Sequence, residues 1–128
     1  MKRSVLLTIT SLVSILLLTF HLSDDIVRGF EPGGVRNVTG VLMLVVWLYG
    51  TTVVGGRRSG YIIILLGSIL GSGVPVVHMI GSGLVGARVV NSGRVFFWVW
   101  TLLALQVTAM VSLVLSINGL WRLRRRRA

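Results

Sequence analysis

His21, His78, Asp24, Asp25 and Glu31 are the side chains of this sequence that could ligate a metal or move a proton near neutral pH; there is no cysteine. Asp24 and Asp25 follow His21 by three and four residues, so on a helix either carboxylate can share the imidazole's face. Neutral imidazoles with a carboxylate suit Zn²⁺, Cu²⁺ or iron. Two histidines on separate helices could instead clamp a haem between them. The plainer reading leaves the histidines at a membrane interface, bonded to backbone carbonyls, with Asp24 paired to Arg28 at i,i+4. Two histidines without a surrounding motif are a weak signal. No cofactor is therefore expected, and haem or a divalent metal at His21, His78, Asp24 and Asp25 stands as the alternative.

Other chemistry is harder to place. Without cysteine, thiol catalysis, disulfides and thiolate metal sites are excluded. No glycine-rich stretch is followed by the Lys-Ser/Thr pair of a phosphate loop, and no hydrolase motif is present, so the chain is not read as an enzyme. A coupled transporter usually needs an ionisable group within the membrane, and no apolar stretch of this chain has one at its centre. An oligomeric pore lined by Ser, Thr and Gln106 is the third functional reading, after a non-catalytic accessory or self-associating subunit and the histidine site.

The elements that must position these residues are apolar helices. Of 128 residues, 54% are hydrophobic and 12% charged, and the mean hydropathy is +0.90. Soluble domains carry about 25% charged residues. One transmembrane domain over residues 1–128 is expected, an all-α integral membrane protein folded as an antiparallel bundle of four transmembrane helices. A span needs about 20 mostly apolar residues, and four stretches approach that: 4–22, 38–54, 61–80 and 95–121. The last is long enough to tilt or to emerge on one side. Phe96, Phe97, Trp98 and Trp100 at its start, and Trp121 near its end, read as interfacial anchors. Met1-Lys2-Arg3 before an apolar run resembles a signal peptide, but no small-residue cleavage site follows. The run is read as an uncleaved first helix.

The net charge of +10 would suggest nucleic acid in a soluble chain, but these basic residues sit at segment ends, where topology needs them. Nine of the 13 collect on one side: Lys2, Arg3, Arg57, Arg58, Arg122, Arg124, Arg125, Arg126 and Arg127. Arg28, Arg36, Arg88 and Arg94, with all three acids, fall on the other. The positive-inside rule then puts both termini in the cytoplasm, here of a bacterial inner membrane, with the arginines on anionic headgroups. Nucleic acid is not expected as a partner. Segment 55–60 (GGRRSG) reads as a tight hairpin, and segment 81–94 as an interfacial loop or a shallow re-entrant piece.

Small residues predict the packing faces. Gly67 and Gly71 form a GxxxG pair, with Pro75 and His78 further along the same face. Pro75 should kink its helix, and Gln106 should bond across helices. The glycine face should meet another helix, in this chain or in a second copy.

Overall fold

In a computed structural model the chain is described over residues 3–29, 31, 33–80 and 93–125, with the backbone alone for residues 3, 36, 78–80 and 93–96. Segment 81–94, expected as a loop or re-entrant piece, lies almost wholly outside the described residues, as do Arg126 and Arg127.

Four α-helices are described, and no strand among these residues: α1 (Arg3–Val27), α2 (Val38–Thr52), α3 (Arg58–Ile80) and α4 (Gly93–Arg125). α1, α3 and α4 are long and apolar enough to cross a membrane; α2 is a shorter apolar helix. Its 15 residues reach about 22 Å at 1.5 Å per residue, against a hydrocarbon core of about 30 Å. The expected second span of 38–54 is therefore overestimated: Val53 and Val54 belong to the hairpin.

Local chemistry sets the helix ends. α1 has neither Gly nor Pro along its length and runs one turn past its apolar stretch. Arg28 Nε donates to Asp24 Oδ2 at 2.7 Å, the i,i+4 pair that the spacing predicts. Gly29 then takes φ 75° and its N–H bonds the carbonyl of Ile26. That left-handed residue is the usual helix stop, because glycine has no Cβ to clash there. Between α2 and α3, Gly56 at φ 78° and the bond from the Arg57 N–H to the Val54 carbonyl close the hairpin. α3 continues through Pro75 to Ile80 without a break in helical structure.

Successive helices are antiparallel neighbours, and α4 closes the ring by packing on α3 and α1. α1 and α3 also touch across the middle, whereas α2 packs on α1 and α3 alone among the helices. The core holds Leu7, Ile15, Trp47 and Ile64, with Leu18, Leu44, Tyr61 and Leu115 around them. On α4, Leu102, Leu105 and Ala109 are buried. The outer surface is also apolar. Leu16, Val45, Leu66 and Val107, one from each helix, are each more than half exposed.

Candidate functional site

Trp47 joins three helices. Its ring lies across Gly67 and Gly71 of α3 so closely that a Cβ on Gly67 would fall inside van der Waals contact with the ring carbons. Its indole N–H donates to Ser11 Oγ on α1 at 2.8 Å, and Ser11 Oγ also lies 2.7 Å from Thr51 Oγ1. The GxxxG pair is thus a trough for an aromatic ring from the same chain. α2 meets it through Trp47, and α4 through Ala109, which would touch a Cβ on Gly71 at 3.6 Å, so a second copy cannot reach the face while these residues occupy it. Sequence reasoning missed Trp47. The signal was present: Trp47 and Gly67 stand equally far from Arg57, ten residues on either side, so a tight hairpin sets them face to face.

A run of hydroxyls joins α1 to α4. Ser14 Oγ lies 2.9 Å from Thr108 Oγ1, and Ser112 Oγ donates to Thr10 Oγ1 at 2.8 Å. Gln106, expected to bond across helices, is half-buried and takes no part in these bonds. Short hydroxyls suit the role better: they let the backbones approach closely and can still donate to their own helix, as Thr108 does to the carbonyl of Ala104.

The groups with the most chemical potential sit at the acidic end. His21 and Asp25 lie on one face of α1, both nearly fully buried, with His21 Nε2 3.3 Å from Asp25 Oδ2. Trp98 on α4 donates its indole N–H to Asp25 Oδ1 at 2.7 Å. The Trp98 and His21 ring centroids are 5.5 Å apart, tilted by 40°. A single carboxylate therefore holds both rings. Trp98 is 5% exposed and turned into the bundle, whereas Phe97 and Trp100 nearby face outward. The reason is the buried Asp25, which requires donors, and an indole N–H from the neighbouring helix supplies one.

The two adjacent aspartates have separate roles. Asp25 serves His21 and Trp98, whereas Asp24 faces Arg28. Glu31 is exposed in the connection. His78 belongs to the last turn of α3, and its side chain lies outside the described residues. The backbone register still places it: Gly71 faces Ala109 and Asp25 faces Trp98. Both relations bring residue 78 of α3 and residue 21 of α1 to about the level of Leu102 on α4. Among the described residues no group of three His, Asp or Glu side chains is disposed to hold a metal ion.

The basic end is more open. A cavity of about 550 Å³ lies between the start of α3 and the end of α4, lined by Arg58, Ile62, Leu120, Trp121, Leu123 and Arg124. Arg125 stacks over the Trp121 ring at 3.7 Å from its centroid. Compared with known proteins, the chain matches no family model, no curated protein and no solved structure.

Proposed function

We propose that the chain crosses a bacterial inner membrane four times, with both termini in the cytoplasm, and serves there as a non-catalytic accessory or assembly subunit. One observation carries the reading: large apolar side chains cover the outside of all four helices, while Ser11, Ser14, Thr51 and Ser112 are buried and bonded to hydroxyls of neighbouring helices. Water would penalise that arrangement and hydrocarbon favours it. The charge asymmetry supplies the orientation. α2 suits an assembly role. It is the shortest helix, and Val41, Val45 and Leu48 lie exposed along one of its faces.

Two measurements test this. A reporter fused to the C-terminus should be active in the cytoplasm; periplasmic activity overturns the orientation. Because the chain has no cysteine, single cysteines can be introduced cleanly. Val45→Cys on α2, within the exposed face, should cross-link within membranes, to itself or to another subunit, whereas Val107→Cys on α4 should not. A chain that stays monomeric with both variants is not an assembly subunit.

A second reading, a metal- or haem-binding module at the acidic end, has one observation in its favour. A carboxylate set on one nitrogen of an imidazole is the arrangement that orients ligating histidines. His21 and His78 would supply the ligands. Purified protein should then carry stoichiometric metal or a Soret band that His21→Ala abolishes; colourless, metal-free protein ends this reading.

A further inference from the structure

The cavity at the basic end orders its lining by polarity. On α3, Arg58 precedes Ile62 by four residues; on α4, Arg124 follows Leu120 by four. Residues four apart share a helix face, and the two helices are antiparallel. Each therefore presents an arginine at the rim and an aliphatic side chain one turn deeper. Trp121 forms a further part of the wall, with Arg125 stacked on its ring. The three acids of the chain, Asp24, Asp25 and Glu31, all belong to the opposite end. Among the described residues no Asp or Glu side chain lines the cavity.

We propose that this cavity binds one anionic phospholipid, its phosphate between Arg58 and Arg124 and the start of an acyl chain against Ile62 and Leu120. Guanidinium groups hold phosphate oxygens in paired hydrogen bonds. Basic pockets between helices at the cytoplasmic side of a membrane suit such headgroups. A zwitterionic lipid brings its own cation and gains less from the two arginines. The proposal rests on the membrane reading above and adds to it a discrete, stoichiometric lipid.

Native mass spectrometry of the detergent-solubilised full chain tests it, after equilibration with phosphatidylglycerol and phosphatidylcholine in equal amounts. One phosphatidylglycerol should be retained, in preference to phosphatidylcholine. Arg58→Gln and Arg124→Gln should each weaken retention about fivefold, and about twenty-five-fold together. Arg57→Gln with Arg122→Gln removes the same charge from outside this cavity and should leave retention nearly unchanged. Ile62→Trp keeps both arginines but fills the groove, and should also expel the lipid. Variants are compared once their helical circular dichroism matches that of the parent. Equal retention of the two lipids, equal loss in the control pair, or an unaffected Ile62→Trp overturns the proposal. Displacement by inorganic phosphate would assign the site to the free anion instead and overturns it too. A chain that stays in aqueous solution without detergent refutes the membrane reading. A detergent-requiring chain without a lipid adduct refutes this proposal alone.

Discussion

Replacing Gly67 by alanine puts a methyl carbon where the Trp47 ring already lies. Overpacking of this kind costs about 1–3 kcal/mol, so Gly67→Ala should lower the unfolding midpoint in detergent. Gly71→Ala should do so less, since its Cβ would sit 3.0 Å from the far edge of the same ring. Gly73→Ala meets nothing within 4 Å and should be neutral or mildly stabilising. Equal effects at all three positions would show that helix propensity, not the ring, governs this face. At the acidic end, Asp25→Leu leaves the buried indole N–H of Trp98 without its acceptor, which should cost about 1–3 kcal/mol. Asp25→Asn keeps an oxygen there and should retain most of that stability. Unfolding curves followed by tryptophan emission separate the two; identical losses would mean that the oxygen does not matter. Residue spacing alone put His21 and an aspartate on one face. It could not choose between Asp24 and Asp25, because their angular positions both allow the contact. The choice comes from Arg28, which takes Asp24, and from Trp98, which lies 73 residues away from Asp25 in sequence.

Between elements, the question is how helices of similar hydrophobicity find one register. Large apolar side chains contribute little selectivity in lipid, since the tails are as apolar as leucine. The hydroxyl pairs contribute more, because each fixes one level of α1 against one level of α4 or α2. A double-mutant cycle on Ser14→Ala and Thr108→Val should give a coupling of about 0.6 kcal/mol, typical of such bonds in a bilayer. A coupling near zero would remove that pair from the register argument. The long helices were legible in the sequence because their apolar runs are unbroken and charge marks their ends. The bounds of α2 were not: Val53 and Val54 are as apolar as the helix before them, and it is the turn geometry that ends it.

Taken whole, the chain inverts the polarity of a soluble bundle, and a charged substitution on the outside tests that inversion directly. Val107, 64% exposed, faces away from the bundle midway along α4. In a bilayer Val107→Lys should impair insertion by about 2.5–3.5 kcal/mol, read as a lower membrane-integrated fraction. Were the exterior in water, the same change would improve solubility, and that result would refute the membrane placement. The four-helix pattern and the split between a basic and an acidic end could be read from charge and apolar runs. The internal wiring could not, since it depends on which small residues meet which aromatic ring.

Trp47 reaches its trough by counting. The hairpin connection from Val53 to Arg57 sets how many residues separate the ring from Gly67, and it is so closely folded that Gly60, in the first turn of α3, packs on the carbonyls of Val54 and Gly50. An added residue must either bulge out of the bonded turn or turn α2 by about 100° relative to α3, carrying the indole away from its glycines. Surface connections ordinarily accept insertions at little cost. This one should accept new side chains at Arg57 or Ser59 yet resist any change of length, so that a loop remote from the acidic cluster acts as the ruler of the bundle.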